Sequence, residues 1–159
     1  MNELTHVTNE GDLSMVDISS KSITQRKAIA KGSILLKRST LDLIDKALVK
    51  KGDVLTVAKI AGIMATKKTA DVIPLCHPIS ITHVDIDLEL DNDRESINCT
   101  ASVSTTGKTG VEIEALYAVQ VTLLTIYDMC KGVDREMVIS EVRLMEKRGG
   151  QSGIYHRTE

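Results

Sequence analysis

Four charged side chains on one expected helix, and one histidine held between prolines, carry most of the chemistry this chain can offer. Asp128 and Lys131 stand three residues apart near the end of a long apolar run, so they share a helix face. They form either an ordinary helix salt bridge, with Lys131 favoured by the C-terminal dipole, or a general acid/base carboxylate beside a lysine whose charge or proton it controls. Glu112 and Glu114 open the same run. Acids in a first turn complement the helix dipole, and carboxylates are also suited to accept from the N–H donors of a guanine-type edge. His77 lies in Ile73-Pro74-Leu75-Cys76-His77-Pro78, which holds both prolines of the chain. Each ring fixes its own φ and pushes the preceding residue out of the helical region, so Leu75, Cys76 and His77 are expected in a stiff, extended segment. That segment either presents the imidazole to a site or is a proline-marked loop with an incidental histidine.

Cations are scattered. Lys50 and Lys51 precede a helix start, where backbone N–H groups make a natural anion site. Lys21, Arg26, Lys67, Lys68, Lys147 and Arg148 are further candidates, each either solvated surface or one of several converging on a polyanion. Cys76 is discounted as a nucleophile, because its neighbour His77 in an extended segment points to the opposite side. His6, His83 and His156 receive no role. Thr106-Gly107-Lys108-Thr109-Gly110 is no phosphate loop, since Ser102 stands where the motif needs a glycine.

The elements that must position these groups follow from periodicity. Residues 1–25 are a polar arm, and 26–159 a single domain whose tail loosens from about residue 149. A first strand over 27–37 is interrupted by Gly32 as a bulge. Ser39 and Asp42 resemble a capping box for a helix over 40–49, and Asp53 caps a second helix in which Val54, Val57, Ala58, Ala61 and Met64 recur at helical spacing. Period-two alternation over 83–90 and 97–103, around the turn Asp91-Asn92-Asp93, predicts an antiparallel hairpin. Residues 110–131 form a long helix, apolar on nearly all sides, and a last strand runs through Met137, Ile139, Val142 and Leu144. The order strand, helices, two strands, helix, strand predicts an α+β fold: a ferredoxin-like antiparallel sheet with helices packed on one face, plus an extra helix. Glu114 and Asp128 then share a stripe of the long helix but lie about 21 Å apart along its axis. One small substrate does not reach both within a subunit, so a site using both is shared between subunits.

Composition bounds the class. The chain has 159 residues, a formal charge of −2, three cysteines, three tyrosines and neither Phe nor Trp. The charge gives no sign of a nucleic-acid or membrane partner, and the lack of aromatics argues against base-stacking RNA folds. Widely spaced cysteines in odd number fit reduced thiols in a cytoplasmic protein. No apolar run is expected to approach membrane-spanning length.

Met15-Val16-Asp17-Ile18-Ser19, Ala61-Gly62-Ile63, the proline segment at 73–78, Thr109-Gly110-Val111-Glu112-Ile113-Glu114-Ala115-Leu116 and Leu124-Thr125-Ile126-Tyr127-Asp128-Met129 together resemble the molybdenum cofactor biosynthesis protein C family, from about residue 4 to 153. Two positions depart from its pattern: Ile113 where Met is usual, and Gln151 where Lys is common. The resemblance implies cyclic pyranopterin monophosphate synthase activity, a lyase step that takes 3′,8-cyclo-7,8-dihydro-GTP to cyclic pyranopterin monophosphate and pyrophosphate. It implies substrate binding by Leu75, Cys76 and His77 and by Ile113 and Glu114, with Glu112 beside them. Catalysis falls to Asp128, Lys131, Lys51 and His77, and triphosphate contacts to Lys21, Arg26, Lys67 and Lys147. It also implies a hexamer, a trimer of dimers with sites at subunit interfaces. No cofactor or metal ligand is implied; Mg²⁺ accompanying the triphosphate is compatible, although no carboxylate cluster marks a cage. The rival readings are a noncatalytic nucleotide or pterin binder and a ligand-free structural oligomer.

Overall fold

Alternation drives the sheet. In the computed structural model, which describes residues 6–8, 10–48 and 52–158, β1 (Thr24–Leu35), β2 (Ile81–Asp91), β3 (Ser96–Gly107), β4 (Val138–Arg148) and β5 (Tyr155–His156) form one antiparallel sheet in the order β2-β3-β1-β4-β5. The hairpin falls where the period-two pattern put it, pairing Ile86 with Ala101 and Leu88 with Cys99. Its turn is stapled by Asp91, whose Oδ1 accepts from the N–H groups of Asp93 (3.1 Å) and Arg94 (3.0 Å). Beside Gly32 the β1–β4 register slips, and the extra residue is on β4, where Glu141 adopts φ 56°.

The helices are α1 (Arg38–Asp45), α2 (Val54–Thr66), the single turn α3 (Thr69–Val72) and α4 (Glu112–Cys130). Asp53 caps α2 as its sequence suggests, accepting from the Thr56 N–H at 3.1 Å. The capping box does not form at α1. That helix starts one residue before Ser39, and Asp42 pairs with Arg38 instead (3.0 Å). Its start is held by a distant residue: the buried Asp134 accepts from the Lys37 N–H (2.9 Å) and the Thr40 hydroxyl (3.3 Å). Burial pushes the Asp134 carboxyl up, but these donors and the Glu136 N–H outweigh it and hold it below the ordinary range.

Helices α2 and α4 pack on each other and on the sheet, with α1 and α3 as additions, giving the ferredoxin-like arrangement of four main strands and two main helices. Gly62 permits the close approach of α2 to α4, since a Cβ there would strike the Thr122 hydroxyl and Ile86. The core is aliphatic: Ile34, Leu41, Ile97, Leu123 and Ile126 are fully buried, each contributing about 1.5–3 kcal/mol relative to exposure. By length and mean hydropathy (1.2), α4 is apolar enough to cross a membrane, contrary to expectation; half of it is buried against the rest of this chain. Ala115, Val119, Leu123 and Ile126 supply its buried face, while Leu124 stays exposed, as do Val57, Ile60 and Met64 on α2. Beyond residue 149 the chain returns to the sheet: β5 pairs with Glu146 and Lys147, and the Arg157 N–H donates to the Met145 carbonyl (2.8 Å). A two-residue strand has too little pattern to announce itself.

Candidate active site

Two walls meet at the N-terminal end of α4. One is the proline segment, which opens on a turn over residues 73–76 rather than running extended from Leu75: the Cys76 N–H donates to the Ile73 carbonyl (3.2 Å), with Pro74 supplying the fixed φ at the second position. Beyond Pro78, the buried Thr105 hydroxyl donates to the Ser80 carbonyl (2.6 Å) and ties the segment to β3. The other wall is the first turn of α4. Leu75, Cys76, His77, Glu112, Ile113 and Glu114 all border a cavity of about 390 Å³. Cys76 and His77 therefore border the same space, where strand alternation would have set them on opposite sides.

Glu114 is the unusual group here. It is 2% exposed; Oε1 accepts from the Cys76 thiol at 3.9 Å, and Oε2 is buried without a hydrogen-bond partner among the described residues. An unmet buried polar atom costs about 1–3 kcal/mol. Burial, reinforced by the charge of Glu112, raises the Glu114 carboxyl above its usual range. Burial and then Glu114 push the Cys76 thiol up as well, which leaves it an inert thiol.

A second cavity, of about 540 Å³, adjoins the first and shares Lys21, Thr109, Gly110 and Glu112 with it. Lys21, Arg26, Lys108 and Lys147 give it a cationic lining. Lys147 pairs with Glu112 at 2.7 Å and so neutralises the acid at the boundary. Arg26 is committed to backbone: it donates to the carbonyls of Gly107 (3.3 Å), Lys108 (3.2 Å) and Ser22 (3.5 Å). Lys108 in turn donates to the Ser19 carbonyl (2.7 Å), clasping the arm over the cleft. The turn at Gly149 and Gly150 (φ 90° and 81°) closes the far side. A Cβ at either would run into the Gln25 carbonyl or the Arg26 guanidinium, so both its geometry and its space demand glycine.

The remaining expected residues lie elsewhere. Asp128 and Lys131 pair at 2.6 Å at the opposite end of α4, each more than half exposed, and border neither cavity. Lys67 caps the C-terminus of α2, also outside both. Lys50 and Lys51 fall outside the described residues. Among the titratable lining residues, sequence reasoning missed two: His6, set aside as part of the arm, borders the first cavity, and Lys108, set aside with the failed phosphate loop, borders the second. Lys108 carried a signal nonetheless, as a lysine between two glycines at a helix start. Among the described residues, no three His, Cys, Asp or Glu side chains cluster as a metal cage.

A ferredoxin-like sheet with a two-part cleft, acidic and partly apolar at one end and cationic at the other, defines an α+β protein whose cleft differs in charge between its two ends. The chain belongs to the MoaC family, matching it over residues 15–150. It is 56% identical over 154 residues to the cyclic pyranopterin monophosphate synthase of Thermoanaerobacter pseudethanolicus, covering 97% of this chain and 98% of that one. It is 52% identical to the protein of the same name from Heliobacterium modesticaldum over 159 residues, the whole of both chains. Among solved structures, the ferredoxin protease FusC in complex with Arabidopsis ferredoxin overlaps 70% of this chain and 10% of that one, at 12% identity and a TM-score of 0.33, too slight a likeness to carry an argument.

Proposed function

We propose that this chain is a cyclic pyranopterin monophosphate synthase of molybdenum cofactor biosynthesis, a lyase that converts 3′,8-cyclo-7,8-dihydro-GTP to cyclic pyranopterin monophosphate with release of pyrophosphate. Family membership and the names of the relatives support the activity. The observation that carries it to this chain's own residues is the shared boundary of the acidic and cationic cavities at Thr109, Gly110 and Glu112, which matches a substrate with a base at one end and a triphosphate at the other.

In this reading Leu75, Cys76, His77, Ile113 and Glu114 hold the base, with Glu112 between base and phosphates. Lys21 and Lys147 stand nearest the triphosphate, Arg26 shapes that cavity through the carbonyls it binds, and Lys51 and Lys67 are carried as further cations by the family resemblance alone. Cations on the departing pyrophosphate stabilise its developing charge as a sugar oxygen attacks the α-phosphate. Mg²⁺ travels with the triphosphate as part of the substrate, with no resident metal. Opening the five-membered ring and reclosing it as a pyrazine require proton transfers, which fall to Asp128 with Lys131 and to His77.

About 21 Å of helix separates Asp128 from Glu114, so we assign Asp128 and Lys131 to a neighbouring subunit's cleft in a hexamer built as a trimer of dimers. The exposed apolar residues Val57, Ile60 and Met64 of α2 and Leu124 of α4 support an oligomer. The domain from residue 26 is then one catalytic unit, with His6, Val16, Ile18 and Lys21 of the arm 1–25 lining its cleft. It works in the cytoplasm without nucleic-acid or membrane partners, in keeping with three free cysteines. Incubating purified protein with freshly made 3′,8-cyclo-7,8-dihydro-GTP tests the reading by mass spectrometry. Paired appearance of the pterin product and pyrophosphate is expected; binding without either product overturns it in favour of a sensor.

A further inference from the structure

The reaction does not by itself account for the contact between Cys76 and Glu114. Oε1 of Glu114 has the Cys76 thiol as its donor, while Oε2 is sealed from solvent and faces no donor among the described residues. The two residues come from different elements, the proline turn and the first turn of α4, and meet only in the cavity wall. A carboxyl held through one oxygen by a donor from another element is oriented before any ligand arrives.

We propose that Cys76 is a positioning residue whose thiol, by donating to Oε1 of Glu114, sets the orientation of that carboxyl in the cavity wall before a guanine-derived ring binds against it. This rests on the functional reading above and adds to it the group that aims the carboxylate. The ring's N–H donors meet the ionised carboxylate, so binding is strongest where Glu114 has lost its proton. The thiol donor favours that same ionised form, working against burial and Glu112. Other titratable groups around the carboxyl are His6, Lys21 and His77 in the cavity wall, and Lys147 on Glu112.

The test compares C76A and C76S with wild type on the full chain. In a ¹³C NMR titration of glutamate carboxyls, with E114Q identifying the signal, C76A moves the Glu114 titration to higher pH and C76S does not. In turnover of 3′,8-cyclo-7,8-dihydro-GTP, C76A raises KM about threefold to tenfold with kcat within about twofold, and the acidic limb of kcat/KM moves to higher pH. C76S, which keeps a donor, recovers most of the loss. On an E114A background, C76A has no further effect on kcat/KM. A cysteine that merely fills space gives equal losses for C76A and C76S with neither pH curve moved, and that result overturns the proposal. So does an unmoved NMR titration, whatever the turnover. If wild type forms no product, the functional reading fails on its own, and the titration alone then decides whether Cys76 positions Glu114.

Discussion

The two ends of α4 carry acids in opposite circumstances. At the N-terminal end Glu114 is buried, lacks a full set of partners and is walled by a turn from another part of the chain. At the C-terminal end Asp128 is more than half exposed and joined to Lys131 in an i,i+3 pair of the kind found on many helix surfaces. One end borders both cavities described above, while Asp128 and Lys131 at the other end border neither. A catalytic carboxylate gains its effect from a water-excluded setting, so the difference teaches that the exposed end becomes a site only when something covers it.

The sharpest way to break that comparison is D128N. Loss of a general acid/base lowers turnover by about 10²–10⁴-fold. An exposed pair adds under about 1 kcal/mol, so thermal melting should move by no more than about 4 °C. A large drop in Tm with activity retained would make the pair a structural one.

Mixing sharpens it further. Inactive D128N and inactive H77A protein, dissociated and reassembled together, should regain on the order of a quarter of wild-type turnover if each site draws on two subunits. No recovery in properly reassembled oligomers means that both residues serve one subunit.

A smaller effect concerns stability. Asp134, buried under α1, accepts from two backbone N–H groups and a hydroxyl. D134A should therefore cost about 2–3 kcal/mol, seen as a Tm lower by about 4–12 °C. Because its folded carboxyl lies below the ordinary 3.8, this stabilisation is present above that value and is lost as pH falls through the folded one. Calorimetry across acid pH checks the slope.

Glu114 has the opposite sign. Its folded carboxyl lies above the ordinary 4.5, so its contribution is complete below that pH and is lost as pH rises through the folded value. E114Q should lower kcat/KM about 10- to 100-fold yet flatten the fall of Tm above that range. A variant that melts earlier than wild type at neutral pH would show Glu114 to be structural.

Much of the fold was legible because period-two and helical spacing are local. The 83–90 and 97–103 strands, the long helix and the Asp53 cap appeared as read, with ends shifted by a few residues. The α1 cap was not legible, because its acceptor lies over 90 residues away in sequence and a plausible local motif stood in its place. In the site, residue type and proline spacing marked Glu114 and His77 as candidates, and both border the first cavity. Burial of Glu114, the turn that brings Cys76 to it and the entry of His6 and Lys108 into the cleft could not.

The sequence alone determined which groups this protein has for chemistry, the order of its elements and its family, since each depends on residue types at fixed short spacings. Only the tertiary structure decided that the proline turn, the arm, the Gly149–Gly150 turn and the head of α4 enclose one two-part cleft, while Asp128 and Lys131 stand outside it. The reason is physical: residue type sets what a group is able to do, but its exposure and charge balance depend on neighbours that only packing brings close.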